Sequence, residues 1–462
     1  MQNYKDLKII VIGAGRQGTA LSQYLAQKGA KVILTDNRTE DLLGDLKSLR
    51  DAGVNFAFGA HDPVLLDGAN LVCLSGGVSP ELPFVKEAIA HGIPLSNDSQ
   101  ILLENSPATV IGITGSAGKS TTTSLVGAMA NRFNEMKDNR FNVWVGGNIG
   151  NPLIGQVDAM GVDDLVVLEL SSFQLELMTR SPQIAAVLNL TPNHLDRHAT
   201  MEAYRTAKAN ILIHQKKGDI AVLNRDDPGS WAMLDAVKGD LITFGFKKPP
   251  SHLNGTYVDR GRVCLQSGKD TIKMFPVEWI QLRGQHNLSN ALAAAALAAS
   301  ASLALPAIQL AVDEFTGVPH RLEFVREYKG AKWYNDSIAT APERTEAAIE
   351  SFEEPIILLL GGRDKNLPWE KLAEQIRQKV SRVVLFGEAA DLISEAIGPK
   401  KRGQHLQSVV KCETLQEAIS TAANQVVEGD VVLLSPGGTS YDAFKDFEER
   451  GECYRKWVNE LT

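Results

Sequence analysis

The chain has 462 residues, which is too long for a single hydrophobic core and predicts about three domains. Its 47 basic and 55 acidic side chains give a formal net charge of −8, and no arginine-rich run or basic stripe is present, so nucleic-acid binding has no electrostatic support. The longest apolar stretch, residues 291–305, is rich in alanine and too short to span a bilayer. We therefore expect a core helix there and no membrane insertion.

The four cysteines are widely scattered and form neither a CxxC pair nor a cluster with histidine. This spacing argues against both a disulfide framework and a zinc site. The amino terminus runs into the first predicted strand without an apolar segment that could be cleaved, so we expect a cytoplasmic protein.

The first hundred residues alternate short apolar runs with helical segments. Strands are predicted at 7–12, 31–35, 71–75 and 93–95, and this alternation is typical of a doubly wound parallel sheet. The unit is expected to end near residue 98.

The middle of the chain continues the alternation around a glycine-rich segment. A strand at 110–113 precedes that segment and a helix at 120–132 follows it. Further buried strands are predicted at 164–170, 184–190 and 220–224. The alanine-rich helix closes this region.

A third alternating unit follows, with strands predicted at 356–360, 383–386 and 431–434. The predicted fold class is therefore α/β with three domains. The amino-terminal domain (1–98) and the carboxy-terminal domain (318–462) are expected to be Rossmann-like, and the central domain (99–317) is expected to be a P-loop-type ATPase domain.

A glycine fingerprint follows the first predicted strand. Gly13, Gly15 and Gly18 have the spacing of a dinucleotide-binding turn, and Asp36 stands at the end of the second strand. Alone, this pattern suggests an NAD-dependent oxidoreductase. The same turn also suits any nucleotide diphosphate, including the head of a UDP-sugar, and a βαβ turn without a ligand is the plain alternative.

A second glycine-rich loop, Thr114-Gly-Ser-Ala-Gly-Lys-Ser-Thr121, lies between a predicted strand and a predicted helix. Its glycines let the backbone approach a triphosphate, and the start of the helix turns amide donors toward the anion. Lys119 would lie against the outer phosphates, and Ser120 would offer its hydroxyl to Mg²⁺. The strict Walker A pattern has glycine where Ile113 stands, so the match is one residue off, and a solvated glycine-serine turn is the alternative.

Three side chains of the central region are candidates for chemistry. Glu169 ends an otherwise apolar strand, so its charge needs either a cation such as Mg²⁺ or an arginine or lysine partner. His194 follows another such strand, and on the residues alone a loop histidine held by hydrogen bonds explains it equally well. Lys208 lies on a predicted helix one turn after Tyr204, where an unmodified surface lysine is the common case.

Seven motifs, in order along the chain, resemble those of the Mur ligases, the ATP-dependent amino-acid ligases of peptidoglycan synthesis. The first domain and the carboxy-terminal segment 435–451 are most similar to the branch that adds glutamate to UDP-N-acetylmuramoyl-L-alanine. The resemblance covers essentially the whole chain. The motifs are Thr114-Gly-Ser-Ala-Gly-Lys-Ser-Thr121, Gly146-Gly-Asn-Ile-Gly150, Leu168-Glu-Leu-Ser-Ser-Phe-Gln174, Asn189-Leu-Thr-Pro-Asn-His-Leu-Asp196, Tyr204-Arg-Thr-Ala-Lys208, Gly284-Gln-His-Asn287 and Pro319-His-Arg321.

The resemblance implies a reaction and its partners. ATP would phosphorylate the substrate carboxylate, and the amine of glutamate would then displace phosphate from the acyl phosphate. Mg²⁺ and fixed cations would supply most of the rate by stabilising charge on the transferred group. The implied partners are small molecules, namely ATP, glutamate and UDP-N-acetylmuramoyl-L-alanine, and the implied protein is a monomer.

The resemblance also implies site residues. Those implied in catalysis are Lys119, Glu169, His194 and Lys208, and those implied in holding the metal are Ser120, Glu169, His194 and, if carbamylated, Lys208. The implied ATP site consists of Gly115, Ser116, Ala117, Gly118, Lys119, Ser120, Thr121, Asn287, Asn290, Arg321 and Asp336. The implied UDP-substrate site consists of Gly15, Arg16, Gln17, Asp36, Asn37, Gly76, Asn148 and Ser171, and the implied amino-acid site of Thr340, Lys365, Ser440 and Phe447.

One position departs from the family pattern. The glutamate-adding branch typically carries a lysine after the segment matching Asn335-Asp-Ser337, whereas this chain has Ile338, so a cation is missing beside the reaction centre. We expect either that Arg363 or Lys332 compensates, or that the substrate is L-glutamate or another acidic amino acid in place of D-glutamate. The match at Ser440 to the pocket for the distal carboxylate favours an acidic amino acid in either case.

Overall fold

The computed structural model describes residues 3–148, 150, 152–192, 195–198, 200–399 and 405–462. The chain forms two compact units, one of Met1–Ile280 with Gln285–Phe315 and the other of Gln281–Gly284 with Thr316–Thr462. Over the described residues the first unit holds two sheets and the second holds one. No helix within those ranges combines the length and the apolar surface needed to cross a membrane. The expected domain boundaries near 98 and 317 remain a prediction.

The first sheet confirms the alternation predicted at the start of the chain. Its elements are β1 (Lys8–Ile12), α1 (Arg16–Gln27), β2 (Lys31–Asp36), α2 (Lys47–Asp51), β3 (Asn55–Phe58), β4 (Leu71–Leu74), α3 (Pro83–Ala90), β5 (Leu95–Ser96) and α4 (Asp98–Asn105). The strands are parallel in the order β3-β2-β1-β4-β5, so the switch point where such sheets bind ligands lies between β1 and β4. The last strand starts two residues later than predicted, because Pro94 has no amide hydrogen to donate to a ladder.

The second sheet forms the centre of the first unit. Its elements are β6 (Thr109–Thr114), α5 (Lys119–Glu135), β7 (Val143–Gly147), β8 (Leu165–Glu169), α6 (Ser172–Leu175), β9 (Ile184–Val187), α7 (Leu195–His198), α8 (Met201–Ile213), β10 (Ile220–Asn224), α9 (Pro228–Trp231), β11 (Asp240–Phe244), β12 (Asn254–Asp259), β13 (Arg262–Ser267), β14 (Asp270–Pro276), α10 (Gln285–Ser300) and α11 (Leu305–Glu314). In the described chain the strand order is β14-β13-β12-β11-β10-β9-β6-β8-β7. The carboxyl ends of β6, β8 and β9 therefore lie side by side, because these strands are parallel.

Two antiparallel hairpins, β12–β13 and β13–β14, extend this sheet and were not predicted from the sequence. Each hairpin has a two-residue turn that contains a glycine with positive φ, Gly261 at 74° and Gly268 at 60°. Such turns between alternating segments are the signal that would have predicted them.

The alanine-rich core helix is confirmed but shifted. It spans Gln285–Ser300 instead of 291–305, and residues 291–298 are buried. The helix ends early because Ser302 takes a left-handed conformation with φ of 58°. The shift places Asn287 and Asn290 on the first turns of α10.

The second unit is a further α/β sheet, as predicted. Its elements are β15 (Glu323–Tyr328), β16 (Ala331–Asn335), α12 (Pro342–Ile349), β17 (Ile356–Gly361), α13 (Glu370–Lys379), β18 (Val380–Phe386), α14 (Ala390–Ile397), β19 (Ser408–Lys411), α15 (Leu415–Ala423), β20 (Val431–Gly437) and α16 (Phe447–Asn459). The order over the described residues is β15-β16-β20-β17-β18-β19, and only the pairing of β15 with β16 is antiparallel. The loops after β16, β17 and β20 therefore meet at one edge.

Candidate active site

The loop between β6 and α5 is shaped by its glycines. Gly118 has φ of 82°, and a Cβ there would stand 2.2 Å from Oδ1 of Asn290. A Cβ on Gly115 would stand 3.0 Å from Cβ of Leu188. Larger residues at these positions would force the loop away from its neighbours, so the plain alternative of a loose, solvated turn does not fit this loop.

Asn189 fastens the same loop from the end of β9. Its Oδ1 accepts from the amide of Ala117 (2.8 Å), its Nδ2 donates to the carbonyl of Ala117 (3.0 Å), and its own carbonyl accepts from the amide of Ser116 (3.0 Å). These bonds explain why β9 ends at Val187, earlier than predicted. Asn189 belongs to one of the seven motifs, but its role in holding the loop is visible only in the fold.

Lys119 begins α5 and lies over the loop. Its Nζ donates to the carbonyls of Gly115 (3.0 Å) and Ser116 (3.3 Å). Ser120 and Thr121 follow in the first turn of the helix and are buried. The amides of this turn and the ammonium group thus lie at one place, the helix N-terminus, which suits a polyanion.

Glu169 ends β8 beside this loop and is only 2% exposed. Its Oε1 accepts from Nδ2 of Asn148 (3.0 Å), whereas its Oε2 is buried and has no hydrogen-bond partner among the described residues. Among the described residues, no lysine or arginine forms an ion pair with Glu169. The alternative of a structural ion pair is therefore not observed in the described chain. A buried carboxylate with one unsatisfied oxygen fits a hard cation.

Lys208 is buried on α8, which overturns the alternative of a surface lysine. Its Nζ donates to Oγ1 of Thr114 (3.1 Å) and to the carbonyl of Gly115 (3.1 Å), directly beneath the phosphate loop. Burial, and then the charge of Lys119, lowers the pKa of the Lys208 amine well below its ordinary value, although Glu169 acts in the opposite direction. The lowered pKa favours the neutral, nucleophilic form of the amine.

The first unit brings together most of the predicted ATP-site and metal-site residues. Asn290 contacts Gly118 and donates to Oδ1 of Asn287 (3.1 Å), so the start of α10 adjoins the loop. His194 lies outside the described residues. Among the described ones, no three histidine, cysteine, aspartate or glutamate side chains gather to hold a metal ion, and the metal set of Ser120, Glu169, His194 and carbamylated Lys208 stays a prediction.

The fingerprint turn after β1 also requires its glycines. Gly13 has φ of 95°, and a Cβ on Gly18 would stand 1.9 Å from the carbonyl oxygen of Gly13. A Cβ on Gly15 would meet nothing within 4 Å, so the turn is open at that point. Across the switch point, Gln17 Oε1 accepts from the amide of Gly76 (3.1 Å), which joins the turn to the loop after β4.

Asp36, the residue expected to contact the nucleotide, is held by Arg38. Nε and Nη2 of Arg38 donate to the two carboxylate oxygens of Asp36 (3.0 and 2.8 Å), and the amide of Ala14 donates to Oδ2 (2.8 Å). The Arg38 guanidinium holds the pKa of Asp36 far below its ordinary range. A carboxylate engaged in this way is poorly placed to accept from a ribose hydroxyl, which disfavours the oxidoreductase alternative. Arg38 was not among the predicted site residues, although an arginine two residues after the acid was a visible signal.

Three other predicted UDP-substrate residues lie on different elements of the first unit. Arg16 is exposed at the start of α1, and Asn37 is exposed just after β2. Ser171 lies beyond β8, and its side chain forms a capping box with Gln174 at the start of α6. That bonding gives Ser171 a structural role in addition to the predicted one.

In the second unit, Asp336 follows β16 and is buried. Its Oδ2 accepts from Oγ of Ser435 (2.8 Å), and its Oδ1 accepts from the amide of Leu322 (3.2 Å). Burial raises the pKa of Asp336 to about 7 in spite of the Ser435 hydrogen bond and the charges of Arg321 and Arg344. Asp336 therefore exchanges its proton near neutral pH.

The predicted amino-acid residues surround the loop edge of this sheet. Thr340 lies in the loop after β16, and exposed Lys365 lies in the loop after β17. Buried Ser440 follows β20, and Phe447 begins α16, where its carbonyl accepts from Oγ of Ser337 (2.8 Å).

Arg450 holds two of these loops together by hydrogen bonds. It was not among the predicted site residues. It is fully buried, and it donates to Oγ of Ser337 (3.0 Å), to the carbonyl of Ser337 (2.9 Å) and to the carbonyl of Gly438 (3.2 Å). Burial lowers its pKa to about 10, so it remains charged at neutral pH. Its position within the segment 435–451 was the available signal.

Neither residue expected to compensate for Ile338 is well placed to do so. Lys332 lies near the amino end of β16, whereas residue 338 follows the carboxyl end, which argues against that expectation. Arg363 is exposed and forms two bonds with the carboxylate of Glu388 (2.7 and 2.9 Å). Arg344 does contact residue 338, because its Nη1 donates to the carbonyl of Ile338 (3.1 Å).

Comparison with known proteins gives one family along the chain. Residues 7–97 match the Mur ligase MurD-like N-terminal domain, residues 113–298 the Mur ligase middle domain, and residues 320–438 the Mur ligase glutamate ligase domain.

Full-length relatives agree with these matches. A UDP-N-acetylmuramoylalanine--D-glutamate ligase from Pelotomaculum thermopropionicum is 37% identical over 463 residues, which cover 100% of this chain and 99% of the relative. A ligase of the same name from Symbiobacterium thermophilum is 38% identical and covers 98% of each chain.

Solved structures show the same fold. The UDP-N-acetylmuramate-alanine ligase MurC from Thermotoga maritima matches with a TM-score of 0.58 at 20% identity, covering 98% of this chain and 99% of that one. The MurF ligase from Thermotoga maritima, solved in complex with ADP, matches with a TM-score of 0.51 at 18% identity, covering 99% of this chain and 96% of that one.

Proposed function

The chain belongs to the Mur ligase family, and we propose that it is an ATP-dependent ligase that joins D-glutamate to UDP-N-acetylmuramoyl-L-alanine in the synthesis of peptidoglycan precursors. The observation that carries the proposal is the grouping of the phosphate loop, the half-satisfied carboxylate of Glu169 and the buried amine of Lys208 at one sheet edge. An oxidoreductase would not need a phosphate loop, a buried carboxylate and a buried amine at the same sheet edge.

The first step is a phosphoryl transfer. An oxygen of the substrate carboxylate attacks the γ-phosphorus of ATP, the bond from that phosphorus to the β,γ-bridging oxygen breaks, and ADP leaves. Lys119 and the amides at the start of α5 stabilise the negative charge that moves during this step, because they are already held at the loop.

Glu169 and Ser120 have the oxygen donors that Mg²⁺ prefers, and the unsatisfied Oε2 of Glu169 is the observation that supports their fit to it. A carbamate on Lys208 would add a further anionic oxygen donor. When bound, Mg²⁺ neutralises phosphate charge and orients the triphosphate.

Replacing Glu169 by glutamine should raise the Mg²⁺ concentration needed for half-maximal activity. We expect at least the roughly tenfold loss in affinity that removal of an outer-shell partner of a metal typically causes, because Glu169 would be a direct ligand. Titrating phosphate release with Mg²⁺ measures it. The matched control is Asp164→Asn, which changes a buried acid just before β8 that is bonded to Asn142 and Trp144. An unchanged Mg²⁺ dependence in Glu169→Gln would assign Glu169 a structural role.

The second step forms the amide bond. The amine nitrogen of glutamate attacks the acyl carbon, the bond from that carbon to the phosphate oxygen breaks, and the nitrogen loses a proton as phosphate leaves. We propose that the second unit receives glutamate through Lys365, Thr340, Ser440 and Phe447, which share one loop edge.

The UDP-substrate is proposed to bind at the switch point of the first sheet, where the turn at Gly15 is open and Asp36 is fixed by Arg38. We further propose that the enzyme acts as a monomer in the cytoplasm, with domain boundaries near 98 and 317. The cytoplasmic location is supported by the substrate, because a UDP-linked precursor is a water-soluble nucleotide.

Phosphate release from ATP tests the function. We expect release that requires both UDP-N-acetylmuramoyl-L-alanine and glutamate, with D-glutamate preferred over L-glutamate. Omitting the UDP-substrate is the control for idle ATP hydrolysis. A preference for L-glutamate would keep the ligase chemistry and change the substrate, whereas no glutamate-dependent release would refute the proposal.

A further inference from the structure

Two cationic side chains of the second unit, Arg321 and Arg344, act on Asp336 through their charges, and the charge of Arg344 also acts on Lys365. Among the described residues, no aspartate or glutamate forms an ion pair with Arg321, Arg344 or Lys365. Other exposed cations nearby are paired, as Lys371 is with Glu346 (2.5 Å). This difference marks the three as available for an external anion.

Two of the three charges lower the pKa of a neighbouring cation. Burial, and then the charge of Arg321, lowers the pKa of Arg344, and burial, and then the charges of Arg344 and Arg450, lowers the pKa of Lys365. Asp336, with its pKa of about 7, offsets less than one of these positive charges at neutral pH. The group therefore has an excess of positive charge that a bound anion would relieve.

The backbone that carries Arg344 is held close to Asp336. It lies in the first turn of α12, where the next residue, buried Thr345, donates through Oγ1 to the carbonyl of Ser435 (3.1 Å). Ser435 also donates to Asp336, so the turn that carries Arg344 is tied to the same strand ends as Asp336. Part of the side chain remains exposed to solvent.

One edge of the Arg344 guanidinium is used within the protein. Nη1 donates to the carbonyl of Ile338 (3.1 Å), and Nε and Nη2 have no hydrogen-bond partner in the part of the chain that the structure describes. A guanidinium edge of two N–H groups matches the two oxygens of a carboxylate.

We propose that Arg344 binds a carboxylate of the incoming acidic amino acid and thereby supplies, from α12, the positive charge that is missing at position 338. The proposal rests on the proposed function. It commits to the amino acid over the phosphate of ATP because Lys365, whose pKa is lowered by the charge of Arg344, lies in the same loop edge as Ser440.

The test compares the KM for D-glutamate and the KM for ATP in the wild type and in Arg344→Gln. We expect the KM for D-glutamate to rise about tenfold or more, because a hydrogen bond between charged groups is lost, while the KM for ATP stays unchanged. Arg344→Lys should fall between the two, since it keeps the charge and loses the planar fork. Lys371→Gln is the matched control, as it removes a surface cation that is already paired.

Several outcomes would overturn the assignment. An unchanged KM for D-glutamate in Arg344→Gln would do so, as would a rise confined to the KM for ATP. A rise in Arg363→Gln in place of Arg344→Gln would assign the role to Arg363. If thermal melting shows that Arg344→Gln is unfolded, Arg344→Met, which keeps the aliphatic stem, replaces it. A wild-type protein without glutamate-dependent phosphate release would instead refute the proposed function itself.

Discussion

Lys119→Ala is expected to abolish ATP turnover and leave the fold intact. The Lys119 ammonium lies over the phosphate loop, where it donates to the carbonyls of Gly115 and Ser116, and it adds little to any hydrophobic core. Removing one group that stabilises transition-state charge typically costs about a hundredfold to a thousandfold in rate. Phosphate release measured at saturating substrates should therefore fall by at least about a hundredfold.

The control for this variant is Lys137→Ala, which removes an exposed lysine just beyond the other end of α5. It should keep wild-type turnover. Thermal unfolding of both variants should match that of the wild type. Normal turnover in Lys119→Ala would remove the phosphate-loop interpretation and, with it, the proposed first step.

The parallel strands could be predicted because burial on both faces makes them continuous apolar runs. β1 and β10 are such runs, and the structure has them at or within one residue of the predicted bounds. The hairpins β12–β13 and β13–β14 have no such runs, since residues 270–273 of β14 are exposed, so their pattern was too weak to stand out.

The site residues also fall into those that could be predicted from the sequence and those that could not. The loop glycines and Lys119 could be predicted, because the spacing of a phosphate loop is a local property of the sequence. The roles of Asn189 and Arg450 could not, because each depends on segments that are distant in sequence and adjacent only in the fold. Arg344 belongs to the second kind, since nothing in a local pattern ties α12 to Ile338.

For Lys208, the sequence motif and the structure each supply part of the evidence. Its motif implied a modified lysine, and the structure adds the physical condition for the modification, which is a buried amine with a lowered pKa. Carbamylation needs the neutral amine, because its nitrogen lone pair must attack the carbon of CO₂ and the nitrogen must then lose a proton. The product is a carboxylate-like anion close to Glu169 and the phosphate loop, where a cation would hold both.

Lys208→Ala should therefore inactivate the enzyme by at least about a hundredfold, and a short carboxylic acid such as acetate or propionate should restore part of the activity by occupying the place of the carbamate. Phosphate release as a function of acid concentration measures the recovery. Lys119→Ala is the matched control, because the acid cannot replace a missing ammonium group there. Labelling the wild type with ¹³CO₂ should also give a carbamate carbon signal in NMR spectra that Lys208→Ala lacks. A fully active Lys208→Ala would contradict the carbamate. So would the combination of a variant that no acid rescues and a wild type that lacks the carbamate signal. Either result would show that the buried amine acts unmodified, as a donor to Thr114 and Gly115 that shapes the loop.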